Sequence, residues 1–210
     1  MITVWPAILE KNLHDIQLRI DAVAGVVPEI HLDIMDGEFV PNVTVNSPAK
    51  IESLDWKGLK VSLHLMIKHP ELHIRSWALP NVSSMVIHRE AITNMDNVIQ
   101  LVKDTEKDLA IAINPHTPSY EITDYLEQLA FVMVMGVEPG FAAQGFNNDV
   151  LDKIKFLHEQ KPDLPIAVDG GVNLKTKWPI VEAGATILCA NSYLFKADDL
   201  TAAYHELSRS

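Results

Sequence analysis

The chain has 210 residues, enough to bury one sizeable core, and its 48% hydrophobic content is ordinary for a globular domain. A formal net charge of -11 argues against a nucleic-acid-binding face, which needs a basic stripe, and means that any anion site has to be built locally. A single cysteine, Cys189, excludes an internal disulfide, the N-terminus lacks a signal-peptide pattern, and no apolar run approaches the roughly 18 residues of a membrane span. These features predict one cytoplasmic domain with neither nucleic acid nor membrane as partner.

Short apolar runs recur in chain order and predict eight strands: residues 2–6, 29–35, 60–66, 84–88, 109–114, 130–135, 165–169 and 186–190. Between them, Leu13/Ile16/Ile20/Val23, Val98/Leu101/Val102, Ile122/Tyr125/Leu126 and Val150/Ile154/Leu157 repeat at helical spacing. Strand–helix alternation implies parallel pairing with right-handed crossovers, and eight such units predict a single-domain α/β protein, a (β/α)8 TIM barrel over residues 1–210. An open doubly wound sheet would be expected to show a Gly-x-Gly-x-x-Gly turn after an early strand, and the sequence has none.

The second predicted strand carries the first chemical signal. Side chains alternate along a strand, so His31, Asp33 and Met35 share one face while Leu32 and Ile34 share the other. The third strand ends with Ser62, His64 and Met66 on one face. The seventh closes on Asp169 before Gly170 and Gly171, glycines that would let a ligand approach the backbone. In a (β/α)8 barrel the C-terminal strand ends form the active site. His31, Asp33, His64 and Asp169 would then meet at one mouth as ligands for a divalent ion: Zn, Mn, Fe or Co rather than Mg or Ca. The plainer alternative is four separate hydrogen-bonded side chains filling the barrel top. Two carboxylates beside one metal suit removal of a proton alpha to a carbonyl and its return to the opposite face. That is epimerisation through an enediolate; hydrolysis by a metal-bound water is the competing chemistry at this stage.

The motifs His31-Leu-Asp-Ile-Met-Asp-Gly37, Phe39-Val-Pro-Asn-Val-Thr44, His64-Leu-Met66, Val137-Glu-Pro-Gly-Phe141 and Val168-Asp-Gly-Gly171 resemble those of ribulose-phosphate 3-epimerases, in order and over nearly the whole chain. His88-Arg-Glu-Ala91 and Asn114-Pro-His-Thr-Pro118 are similar too. The resemblance implies a TIM barrel that interconverts D-ribulose 5-phosphate and D-xylulose 5-phosphate in pentose phosphate metabolism. It further implies metal ligation by His31, Asp33, His64 and Asp169, with Asp33 and Asp169 as the acid/base pair. Met35, Met66 and Met135 fall where the family surrounds the reacting carbons, and family members are often homo-oligomers.

Departures from the family pattern cluster away from the metal ligands. Ala7 stands where the family has a substrate-contacting serine, and Trp5 where a small residue is usual. After Gly140 and Phe141, Ala142 and Ala143 replace two glycines; Asn191 replaces the glycine before Ser192, and Asn46 another in the loop after the second strand. Ala142–Ala143 and Asn191–Ser192 are where the resemblance puts the phosphate grip, with Gly140, Gly170 and Gly171 as further substrate-binding positions. Alanine keeps the backbone N–H but resists positive φ by roughly 1 kcal/mol or more. A different ketose phosphate, an unphosphorylated ketose, or a non-catalytic sugar-phosphate-binding barrel are the alternatives these changes raise. His14, His69, His73, His158 and His205 are expected at the surface, His88 and Glu90 behind the ligands, and Cys189 as a small buried hydrophobe.

Overall fold

The computed structural model describes residues 2–140 and 144–209. Eight strands form a closed parallel barrel in sequence order: β1 (Thr3–Ile8), β2 (Glu29–Met35), β3 (Lys60–Met66), β4 (Val82–His88), β5 (Asp108–Ile113), β6 (Phe131–Met135), β7 (Ile166–Asp169) and β8 (Ile187–Ala190). The helices are α1 (Leu13–Val23), α2 (Pro48–Glu52), α3 (Ile74–Trp77), α4 (Met95–Lys103), α5 (Val150–Gln160), α6 (Leu174–Glu182), α7 (Ser192–Phe195) and α8 (Leu200–Ser208). Among the described residues no helix is long and apolar enough to cross a membrane.

Two expectations shift. β1 continues past Pro6 to Ile8: Thr3 to Pro6 pair with β8, and Ala7 and Ile8 pair with β2. The proline, which cannot donate to a ladder, thus sits where pairing passes from one neighbour to the other. Residues Ser119–Gln128, expected as an ordinary helix, wind as 3-10 turns with Ile122 and Leu126 still buried. A 3-10 turn rises about 2.0 Å per residue against 1.5 Å in an α-helix, so this short connection covers more of the barrel wall.

The strand alternation divides two cores. Outward residues such as Leu32, Ile34, Leu63, Leu65, Ile111 and Val134 pack beneath the helices in the main cluster. Inward residues divide again. From β1 and β4–β8 come Trp5, Ala7, Val86, Ala110, Ala112, Phe131, Met133, Ala167 and Cys189, an apolar packing of large against small side chains. From β2–β4 come His31, Asp33, Ser62, His64, Ser84 and His88, all buried and polar. Trp5 belongs to the apolar half, its ring parallel to His31 at 6.4 Å and edge-on to Phe131 at 5.4 Å. The departure at Trp5 therefore repacks the barrel floor and leaves the mouth uncrowded.

Candidate active site

Register builds the site. β2 and β3 pair His31 with Ser62 and Asp33 with His64, so both imidazoles and one carboxylate point inward from adjacent strands. β7 delivers Asp169 from three strands away around the closed barrel. One donor atom from each of the four lies within 4.8 Å of the others. His64 Nδ1 is 2.9 Å from Asp33 Oδ1, 3.2 Å from His31 Nε2 and 3.9 Å from Asp169 Oδ2. The four side chains converge on one point rather than filling the barrel top separately. The imidazoles are fully buried, and the two carboxylates line a cavity of about 340 Å³.

The electrostatics separate the two acids. Burial opposes charge on Asp33, but hydrogen bonds to His31 and His64 outweigh it and hold the carboxyl well below its usual range. Burial and the neighbouring Asp33 charge push Asp169 up to about 7. Burial takes His64 down to about 3, with the nearby His88 ring adding to the effect. His31 is likewise penalised by burial, but its bond to Asp33 and the surrounding carboxylates raise it. Two nitrogen and two carboxylate donors in a buried, acidic recess fit a borderline divalent ion such as Zn, Mn, Fe or Co. Among the described residues His31 Nδ1 is buried with no hydrogen-bond partner, and its ring lies parallel to Trp5 at 6.4 Å.

The loop after β2 is held to these ligands. Thr44 Oγ1 donates to the Asp33 carbonyl at 3.0 Å and accepts from Met35 N at 2.9 Å. Asp36, inside the same sequence motif, is no ligand: its carboxylate accepts from the backbone N–H groups of Glu38, Phe39 and Lys68 and shapes the turn. Asn42 Nδ2 reaches across to the Gly140 carbonyl at 2.9 Å and joins this loop to the one after β6. Met35 and Met66 pack with Val40, and Met35, Met66 and Met135 all line the cavity.

At the other end the cavity is lined by Gly140, Gly170, Gly171, Asn191 and Ser192, with Ala7 on the β1 side. Ala142 and Ala143 lie outside the described residues. Gly170 and Gly171 have φ of +98° and +73°, and a Cβ there would come within 2.5 Å of Val137 and 2.8 Å of Phe146. Close packing of the β6 and β7 loops, more than ligand access, demands glycine at both positions. Asn191 lines the cavity and its Nδ2 donates to the Ala7 carbonyl at 2.7 Å. Two departures from the family pattern are thus bonded to each other. Sequence reasoning missed Lys196, the one cationic side chain among the described residues lining the cavity. Its place one turn after Ser192 was the available signal. Cys189 also lines the cavity but is buried, and burial pushes its thiol well above the usual range. His14, His69, His73 and His205 are exposed and His158 half-buried, while His88 sits directly behind His64.

A family model described as the ribulose-phosphate 3-epimerase family matches residues 3–195. The chain belongs to the ribulose-phosphate 3-epimerase family. The ribulose-phosphate 3-epimerase of Bacillus subtilis is 36% identical over the full length of both chains. That of Helicobacter pylori is 30% identical over 93% of this chain and 92% of its own. The crystal structure of 3-hexulose-6-phosphate synthase from Salmonella typhimurium superposes with a TM-score of 0.71, covering 99% of this chain and 97% of that one. At 13% identity the likeness extends to the fold alone.

Proposed function

We propose that this chain is a metal-dependent ketose-phosphate 3-epimerase that interconverts D-ribulose 5-phosphate and D-xylulose 5-phosphate. The observation that carries the reading is the convergence of Asp33 and Asp169, from strands far apart in sequence, on one cavity beside His31 Nε2 and His64 Nδ1. The named relatives supply the substrate.

His31, Asp33, His64 and Asp169 would hold one divalent ion. When bound, the ion would stabilise the negative charge that develops on the substrate oxygens as the alpha proton leaves. The chain itself moves the protons. In the metal-free chain Asp33 is held ionised while burial and the Asp33 charge raise Asp169 to about 7, so the two carboxyls differ in basicity. One accepts the C3 proton and the other delivers a proton to the opposite face, and the roles exchange in the reverse direction. Met35, Met66 and Met135 keep water from the reacting carbons. The far end, with Gly140, Gly170, Gly171, Asn191 and Ser192, takes the phosphate. Ala7 faces the sugar without a hydroxyl. Lys196 at the cavity wall favours a phosphorylated over an unphosphorylated ketose. Two retained carboxylates facing the cavity disfavour a purely binding role.

The test is incubation of the chelator-stripped protein with D-ribulose 5-phosphate and each of Zn, Mn, Fe and Co in deuterated water. The expected result is xylulose 5-phosphate carrying deuterium at C3 with at least one metal. Absence of both product and exchange with every metal overturns the reading.

A further inference from the structure

Behind His64 a second line of polar groups runs away from the cavity. His64 Nε2 lies 2.8 Å from His88 Nε2, and the two rings stack at 4.9 Å. His88 Nδ1 lies 3.3 Å from Glu90 Oε2. The other oxygen of Glu90 accepts from Asn114 N at 2.8 Å and from the Thr117 hydroxyl. Lys153, reaching in from α5, donates to the Asn114 and Thr117 carbonyls and so fixes the loop that fixes the carboxylate. Both imidazoles are fully buried, and Phe39 covers the outer face of His88 at 4.9 Å.

The proton count along this line allows one polarity for a ligating His64. If Nδ1 is to offer a lone pair, the ring's proton must sit on Nε2. That proton meets His88 Nε2, which must then accept. The His88 proton is therefore on Nδ1, where a carboxylate oxygen of Glu90 receives it. We infer that Glu90, acting through His88, is a positioning residue that fixes His64 in the tautomer with a bare Nδ1. The inference rests on the metal site proposed above and extends it to residues outside the ligand set. Glu90 is charged in this role without touching substrate or ion. His31, whose Nδ1 has no hydrogen-bond partner among the described residues, shows no such support.

An isosteric amide tests the polarity. In Glu90→Gln the side-chain oxygen is retained by the two donors Asn114 N and Thr117 Oγ1, and the NH2 group turns toward His88. His88 Nδ1 must then accept, its Nε2 donates, and the proton on His64 is driven to Nδ1. The purified protein is assayed for Zn affinity by competition with a chromophoric chelator, and its imidazole nitrogens are read by 15N NMR in the Zn-loaded wild type. We expect Glu90→Gln to weaken Zn binding about 10- to 100-fold, the range seen when groups behind a metal ligand are removed. The wild-type spectrum is expected to show the His88 proton on Nδ1. Thr117→Val, which removes one bond to the loop but keeps the carboxylate facing His88, should change Zn affinity less than about 3-fold. An equal loss in Thr117→Val and Glu90→Gln, or a Glu90→Gln affinity within 2-fold of wild type, overturns the inference. So does a His88 proton found on Nε2, a reading that needs no variant to fold. A wild-type protein that takes up no Zn, Mn, Fe or Co overturns the metal site itself, and this is seen before any variant is made.

Discussion

The two ends of the cavity are built from different materials. The carboxylate end is made of strand residues: β2, β3 and β7 set His31, Asp33, His64 and Asp169 by ladder register, with the first three buried and one donor atom from each within 4.8 Å of the others. The far end is made of loops after β6, β7 and β8, where glycine packing and one side-chain bond, Asn191 to the Ala7 carbonyl, set the shape. A strand passes its geometry to every second side chain, so the first end tolerates sequence change around it without moving. A loop has no such carrier, and the departures from the family pattern collect there.

The largest effects are expected at the strand-built end. Asp169→Asn should lower epimerisation by about 100- to 10,000-fold, measured by a coupled assay at saturating metal, as expected for loss of one proton-transfer group. The same variant should melt at a higher temperature than wild type when metal is absent. The folded state raises the Asp169 carboxyl to about 7, against an ordinary value of 3.8, so its stabilising contribution is present below 3.8 and lost as pH rises through 7. The gain from asparagine should therefore be full above pH 7 and vanish below pH 4, which differential scanning calorimetry of the stripped protein reads directly.

An effect of intermediate size is expected in metal affinity. Asp169 must shed its proton to ligate, so apparent Zn affinity should climb about 10-fold per pH unit up to about pH 7 and level off above it. A profile flat from pH 5 to 8 would show that the carboxylate is not a ligand. The smallest effect belongs to the loop-built end. Lys196→Ala should raise KM for the phosphorylated ketose about 3- to 10-fold with kcat unchanged, because an exposed cation contributes uniform binding. The increase should shrink at high salt. A fall in kcat instead would move Lys196 toward the reacting carbons.

Sequence legibility follows the same division. Period-two alternation exposed the inward faces of β2, β3 and β7, and with them all four converging side chains. It also placed Cys189 in the buried wall. The alternation carried no word on why Gly170 and Gly171 are glycine, because that reason is Val137 and Phe146 packing from another loop. Nor did it distinguish a crowded mouth from a filled floor at Trp5, since either uses the same inward position. Spacing at Ile122 and Leu126 marked a helical, buried segment but could not separate 3-10 from α winding, which the span to be covered decides. Lys196 escaped notice because a lone lysine near a helix end is ordinary sequence.

Trp5 gives the barrel a closed bottom. Its indole runs parallel to His31 and meets Phe131 edge-on, within an inward cluster of apolar side chains. On the proposed acid/base roles, protons lost by Asp33 or Asp169 would leave through the cavity that both carboxylates line. A bound sugar stands in that doorway, so isotope exchange with the bulk should run mainly between visits, and the enzyme's own occupancy becomes the valve on its traffic with water.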